Sequence, residues 1–103
     1  METNKIFTYL GFALRSGICS KGSEAVKIEI KKNKADVVLL SDSLSENGLK
    51  PIVNACKNNN TIYTILSSDI FSRLLKSDVK VISIKKSELS KQIIKIILSG
   101  ENN

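Results

Sequence analysis

The sequence predicts an α/β fold, a three-layer α/β/α sandwich built on a short, mostly parallel four-stranded sheet. Apolar residues at three- and four-residue spacing, typical of amphipathic helices, alternate along the chain with short apolar runs typical of strands. The run over 36–41 is apolar without alternation, as expected for a strand that helices cover on both faces. A length of 103 residues suits one core, so 1–103 is predicted to be a single domain.

The predicted elements of the first third follow from helical spacing and from glycine. A helix over 4–15 places Ile6 and Leu10 on one face and ends just before Gly17. Only a short strand fits the next residues, 18–20. A second helix is predicted over 23–33.

Proline sets the expected start of the third helix. An interior proline costs about 3 kcal/mol, so Pro51 should lie in the first turn, which places the start near residue 48. The polar residues 42–48 then form the preceding loop. The remaining predicted elements follow the same patterns: a strand over 61–66, a short helix over 69–76, a strand over 79–84 and a last helix over 87–99.

The net charge of +6 is unevenly distributed along the chain. Fourteen of the sixteen basic residues are lysine, which indicates a compositional bias, so the total alone says little. Segments 15–34 and 71–103 each carry +4, whereas 35–70 carries −2. Local basic segments of this kind favour a polyanionic partner such as nucleic acid.

Several function classes are excluded by residue content. The chain has no histidine, and its two cysteines, Cys19 and Cys56, form no Cys-x-x-Cys pair, so we expect no metal site and no cofactor. No apolar run approaches the ~20 residues needed to cross a bilayer, and the N-terminus lacks a signal-peptide pattern. We expect a cytoplasmic protein with reduced thiols and no membrane partner.

The second predicted helix has two contrasting faces. Its inward arc is predicted to contain Ala25, Val26, Ile28 and Ile30. Its opposite face is predicted to contain Glu24, Lys27, Lys31 and Lys34. One interpretation is a solvated face on which Glu24 pairs with Lys27. The other is a nucleic-acid site, in which the helix N-terminus and the lysines hold phosphates, Glu24 accepts hydrogen bonds from a base edge, and Lys21 and Gly22 let the ligand approach.

Residues 10–27, with Lys21-Gly22-Ser23-Glu24 leading into the helix, and residues 35–47, with the strand ending in Ser41-Asp42, resemble the L-seven-Ae/L-thirty-e ribosomal protein superfamily. The resemblance is closest to small bacterial members of YlxQ type and covers about residues 4–84. It implies binding to RNA, typically to a kink-turn, a sharply bent internal loop in duplex RNA. The family carries a Gly-x-Asn-Glu-x-x-Lys type motif, of which this sequence keeps Glu24 and Lys27. Ser23 stands where the family has Asn, and Gly22 is one place later than the family's Gly.

The resemblance also implies two loops beside the RNA. One follows the Ser41-Asp42 strand end, and the other precedes the last strand. Small apolar residues of these loops support a flipped-out nucleotide in the family, and Leu44 with Leu75 or Val79 can do so here or can equally belong to the core. The RNA-binding residues predicted from the helix and the two loops are Lys21, Gly22, Ser23, Glu24, Lys27, Lys31, Ser43, Leu44, Leu75, Lys76 and Ser77.

Two other function classes remain as alternatives to a monomeric, non-enzymatic RNA-binding protein of ribosomal type. The apolar run 93–98 can serve a protein-interaction module, or it can pack on the sheet. The stretch after Cys19 faintly resembles the phosphocysteine loop of sugar-phosphotransferase B subunits. That design needs a buried apolar strand just before the cysteine, and only Ile18 stands there after the predicted helix end.

Overall fold

The structure is a computed structural model, and it describes residues 5–75 and 78–99. Helices and strands occur in these residues in the order that the sequence predicts. The helices are α1 (Lys5–Arg15), α2 (Ser23–Lys31), α3 (Glu46–Asn58), α4 (Ser68–Leu74) and α5 (Glu88–Ser99). The strands are β1 (Cys19–Lys21), β2 (Ala35–Ser41), β3 (Ile62–Leu66) and β4 (Val81–Lys85).

The four strands form one sheet in the order β1-β4-β2-β3. Strand β2 pairs with β3 in parallel, with Val37 opposite Ile62. Strand β4 lies between β1 and β2 and is antiparallel to both. The α/β fold class is confirmed, but the prediction of a mostly parallel sheet is wrong, because the sheet is mixed.

The direction of β4 follows from the route that the chain takes after β3. Both strands meet the same end of β2, since the N–H of Asp42 donates to the carbonyl of Leu66 and the N–H of Ser41 donates to the carbonyl of Lys80. A parallel crossover would have to carry the chain back along the whole sheet before β4 could begin. The seven-residue helix α4 does not do this. Strand β4 therefore starts at the edge where β3 ends and runs the opposite way.

Two apolar clusters, one on each face of the sheet, make up the core. Alternate residues of β2 supply both clusters, as the unbroken apolar run predicts: Val37 and Leu39 face one way, and Val38 and Leu40 face the other. The first cluster is completed by α1, α4 and α5, and the second by α2 and α3. Helices thus cover both faces of the sheet in three layers.

Helix α3 begins at Glu46, two residues before the predicted start. The side chain of Ser45 caps it, since the Ser45 Oγ accepts a hydrogen bond from the N–H of Gly48 at 3.2 Å. Pro51 consequently lies in the second turn, where it leaves the carbonyl of Asn47 without its usual intrahelical donor. The prediction was wrong here because it weighed the cost of proline above the serine cap.

Helix α5 begins with a reciprocal serine cap that also ties it to the sheet. The N–H of Ser87 donates to the Oγ of Ser90, and the N–H of Ser90 donates to the Oγ of Ser87. The hydroxyl of Ser90 lies 2.6 Å from the carboxylate of Asp36, at the irregularity in the β2–β4 pairing. None of the described helices is long and apolar enough to span a bilayer.

Candidate functional site

The start of α2 is held against the start of β4. The N–H of Gly22 donates to the carbonyl of Val81 at 2.9 Å, and the carbonyl of Gly22 accepts from the N–H of Val26 at 3.0 Å. Gly22 has φ 91° and ψ 154°, a conformation that is essentially restricted to glycine. Glycine has no side chain with which to cap the helix, so the first N–H groups of α2 lack both an intrahelical partner and a Gly22 cap. This is the arrangement that binds anions at helix N-termini when a ligand supplies the acceptor.

The charged face of α2 is exposed, and two of its members form an ion pair. The Nζ of Lys27 lies 3.3 Å from the carboxylate of Glu24, whose side chain is 88% exposed, against 32% for that of Lys27. Lys31 is exposed in the last turn of the same helix. The pairing is the one that a solvated face predicts. It also leaves an accessible carboxylate beside cations, which is compatible with the nucleic-acid interpretation of this face.

Two details of α2 differ from the sequence prediction. The helix ends at Lys31 rather than at residue 33, and Asn33 follows with φ 60°, so Lys34 does not belong to the helical face. The side chain of Ile28 is not inward but 50% exposed. At 100° per residue Ile28 lies about 40° from Glu24 around the helix axis, so it belongs to the charged face.

Backbone hydrogen bonds bring the loop after β2 to the same end of the sheet as the start of α2. We call this end, where β2 ends and β4 begins, the loop edge. The N–H of Ser41 donates to the carbonyl of Lys80. The next carbonyl along β4, that of Val81, accepts the hydrogen bond from the N–H of Gly22. The Oγ atoms of Ser41 and Ser43 lie 2.8 Å apart, which fixes the turn of this loop. The structure therefore brings together the start of α2, the end of β2 and the start of β4.

Leu44, Leu75 and Val79 all contribute to the core. Leu44 is half-buried against the cluster beneath α2 and α3, whereas Leu75 and Val79 are half-buried against the cluster beneath α1 and α5. Part of each side chain is still accessible at the loop edge. Lys76 and Ser77, also predicted to bind RNA, lie outside the described residues.

A cleft of about 340 Å³ opens between the loop after β2, the start of α4 and the start of β4. It is lined mainly by hydroxyl and charged side chains around Phe71 and Val79: Ser41, Ser43, Ser68, Asp69, Ser72, Asp78 and Lys80. Of these, only Ser43 is among the RNA-binding residues predicted from the sequence, and Val79 is a candidate for supporting a nucleotide. Ser41 belongs to the strand end that carries the resemblance, whereas Ser68, Asp69 and Ser72 come from α4, which is distant in sequence and is marked by no local motif.

The charges at this edge are separated in space. The lysines of α2 lie on an exposed helix face, whereas the cleft contains the carboxylates of Asp69 and Asp78 beside one cation, Lys80. Carboxylates repel phosphate but accept hydrogen bonds from base amino groups. The helix face thus suits a phosphate backbone and the cleft suits an uncharged polar ring.

Neither cysteine has the character of an activated nucleophile. Burial raises the pKa of the Cys19 thiol to about 11, and the nearby Lys21 offsets only part of this rise. Burial likewise raises the pKa of Cys56 to about 11. Both thiols are protonated at neutral pH, and the thiolate is the reactive form. Across residues 5–75 and 78–99, no three His, Cys, Asp or Glu side chains are grouped so that they could hold a metal ion.

Comparison with solved structures assigns the fold. A protein of unknown function from Bacillus halodurans C superposes with a TM-score of 0.81 at 20% identity, covering 90% of this chain and 96% of that one. A 15.5kD RNA binding protein from Giardia lamblia superposes with a TM-score of 0.74 at 13% identity, covering 92% of this chain and 82% of that one. The chain shares their fold. No protein-family model and no curated protein matches the sequence.

Proposed function

We propose that the chain is a non-enzymatic RNA-binding protein of the L-seven-Ae/L-thirty-e superfamily, of bacterial YlxQ type, that recognises a kink-turn or a related bent RNA. One observation carries the proposal. The first turn of α2, where Glu24 is exposed and pairs with the half-buried Lys27 of the next turn, lies at the same edge as the loop after β2 and the start of β4. The fold is shared with a protein described as RNA-binding.

The helix α2 would hold the phosphate backbone. Its first N–H groups and dipole favour an anion. Lys27 and Lys31 add cations along the helix, and Lys21 at the end of β1 adds one just before it. Lysines bind phosphates without reading sequence, so this part of the site supplies affinity that depends on salt.

Glu24 would supply discrimination. A carboxylate among lysines weakens phosphate binding unless it has a task of its own, and amino and imino groups of guanine are suitable donors to it. Binding would replace the Glu24–Lys27 ion pair by a Glu24–base and a Lys27–phosphate contact. Ser23, half-buried beside Glu24, offers one hydroxyl where the family has a carboxamide, so we expect fewer hydrogen bonds to the base at that position.

The two loops would accept a base that leaves the stack. Bent RNA exposes unpaired bases, and proteins bind these through stacking and hydrogen bonds to their edges. The accessible parts of Leu44, Leu75 and Val79 give apolar contact, while Ser43 and the cleft give polar groups. Lys76 and Ser77 precede β4 in the sequence, and their contributions stay predictions. No metal or cofactor has a part in this binding, and we propose that the protein acts as a cytoplasmic monomer.

The two alternatives fit the site less well. A phosphocysteine carrier needs a thiolate at Cys19, and burial raises the pKa of that thiol to about 11. For an interaction module, the run 93–98 would have to be free, but Ile93 and Ile96 are buried against the sheet, and Leu98 is the residue of the run that is strongly exposed.

A gel-shift titration with a kink-turn RNA and a straight duplex of matched length and composition tests the proposal. We expect tighter binding to the bent RNA, with an affinity that falls steeply as salt is raised. Equal affinity for both RNAs would contradict kink recognition, and a lack of binding to either RNA would contradict RNA binding as a whole. Labelling of Cys19 by a phosphoryl donor would favour the carrier, and a stoichiometric protein partner without nucleic acid would favour the interaction module.

A further inference from the structure

Both arginines of the chain lie over phenylalanine rings of α1. The guanidinium carbon of Arg15 lies 5.0 Å from the centre of the Phe12 ring. The guanidinium carbon of Arg73, which comes from α4, lies 4.6 Å from the centre of the Phe7 ring. Both distances are within the range of cation–π contacts, so the second pair joins α1 to α4.

Arg15 lies between the two rings around α1, because at 100° per residue Phe7 and Phe12 are about 140° apart about the helix axis, with Arg15 about 60° from Phe12 and about 80° from Phe7. A methyl group added at Gly11 would lie 3.5 Å from Nη1 of Arg15 and 3.7 Å from Cδ2 of Leu74. The side chain of Arg15 therefore reaches back along α1 towards the last turn of α4, where Arg73 is located. We call Phe7, Phe12, Arg15 and Arg73 the arginine–phenylalanine platform.

This platform is accessible to a ligand. The Phe12 side chain is 48% exposed, and the Arg73 side chain is 58% exposed. A guanidinium that lies over a ring has a second planar face, which can stack on a base while its N–H groups reach a phosphate. Lysine has the same charge without the plane.

The composition of the chain makes the two arginines informative. Fourteen of sixteen basic residues are lysine, so a general preference for arginine does not explain why both arginines lie over rings. Arginine and lysine differ at these positions in planarity rather than in charge. The feature that distinguishes the platform from the lysine face of α2 is therefore its stacking capacity.

The platform continues from the cleft at the loop edge. Asp69 lines that cleft and also pairs with Arg73, with 3.6 Å between carboxylate and guanidinium. A chain of RNA that leaves the cleft along α4 would meet Arg73 and Phe7 first and then Arg15 and Phe12. Helices α1 and α4 lie on the opposite face of the sheet from α2, so this path does not overlap the lysine face.

We infer that the arginine–phenylalanine platform binds a single-stranded segment that flanks the structured RNA. This inference rests on the proposed function, because the flanking segment belongs to the same RNA. Aromatic rings with arginines bind single strands by stacking, which tolerates any base, and by contact with the phosphates. Base identity would then be read at α2 and the loops, and the platform would add affinity without sequence preference.

The test compares a blunt kink-turn RNA with the same RNA carrying about eight extra uridines at its 5′ or its 3′ end, by fluorescence anisotropy. We expect one extended RNA to bind about tenfold more tightly than the blunt RNA. Two variants should remove this gain and leave the affinity for the blunt RNA within about twofold. They are Phe12→Ala and the double variant Arg15→Lys with Arg73→Lys, which keeps both positive charges. Lys57→Ala, exposed on α3, is the matched control and should retain the gain.

A lack of gain with both extensions, or a gain that persists in Phe12→Ala and in the double variant, would overturn the inference. A separate titration with oligouridine of about twelve nucleotides keeps this result distinct from failure of the proposed function. If bent and straight RNA bind alike but oligouridine binding depends on Phe12, kink recognition fails and the platform stands. Thermal unfolding of each variant confirms that it is folded.

Discussion

The carboxylate of Glu24 lies 3.3 Å from the Nζ of Lys27, one helical turn along the exposed face of α2. Exposed pairs of this spacing contribute only about 0.2–0.5 kcal/mol to folding. The free energy of opening the pair is therefore small compared with that of a phosphate or base contact. Both side chains can be redirected to a ligand without disturbing the helix.

Glu24→Ala should separate stability from recognition. We expect the free energy of unfolding to change by less than about 0.5 kcal/mol, because only the exposed pair is lost. The preference for bent over straight RNA should fall by about tenfold or more, since the carboxylate would make the base contact. Urea unfolding and paired gel shifts measure the two effects. Glu88→Ala, in the first turn of α5, is the control, and an equal loss of preference in that variant would contradict the assignment.

Lys27→Ala and Lys31→Ala should weaken bent and straight RNA to the same degree. Each lysine that contacts a phosphate releases about one counterion, so the slope of log affinity against log salt should decrease by about 0.7–0.9 for each substitution. The measurement is an affinity titration at several salt concentrations, with Lys57→Ala as the reference. An unchanged slope would show that these lysines make no phosphate contact.

The order of the elements was predictable because periodicity is a local property of the chain. The unbroken apolar run of β2 also indicated a strand covered on both faces, and Val37 to Leu40 do alternate between the two clusters. The direction of β4 was not predictable in this way. The direction of β4 depends on the end of the sheet at which the chain lies after α4, and the residues around Val81 contain no local pattern that indicates this end.

The candidate site was predictable only where its residues follow one another. Gly22, Ser23, Glu24 and Lys27 form a recognisable stretch, and the structure places Gly22 against the start of β4, Ser23 and Glu24 in the first turn of α2 and Lys27 one turn further on. The cleft residues come from three separated segments, so their meeting is a consequence of the tertiary structure. Ile28 differs from the prediction because, although it is apolar, its angle about the helix axis places it on the charged face rather than within the inward arc.

Gly22 and Gly11 should respond in opposite ways to alanine. Gly22 has φ 91°, so Gly22→Ala should destabilise the fold by about 1–3 kcal/mol through backbone strain alone, since no neighbour lies within 4 Å of the added carbon. Gly11 is inside α1 and has ordinary van der Waals space for a methyl group, so Gly11→Ala should stabilise by about 0.5–1 kcal/mol. Urea unfolding of the two variants checks this. The reverse order would show that the start of α2 is not held as described.

Cys19 should react slowly with alkylating reagents in the folded protein. Burial raises its pKa from 9.0 to about 11, so at pH 8 its thiolate fraction is reduced and alkylation should be about tenfold to a hundredfold slower than in urea. The rate should rise with pH towards the folded pKa. Because the folded state favours the protonated thiol, this group stabilises the fold fully below pH 9.0. The stabilisation is lost as the pH rises through the folded pKa of about 11. Mass spectrometry of the alkylated protein gives the rates, and fast labelling at pH 8 would revive the phosphocysteine alternative.

Backbone amide NMR during titration with a kink-turn RNA tests the central claim most directly, because it reports every contact surface at once. The largest shift changes should occur at Gly22, Ser23 and Glu24, in the loop 42–45 and around Val79 and Lys80, whose backbones meet at one edge. The amides of Lys57 and Asn58, at the far end of α3, should not move. Changes concentrated on α5, or spread evenly over all exposed lysines, would contradict an RNA site at the start of α2.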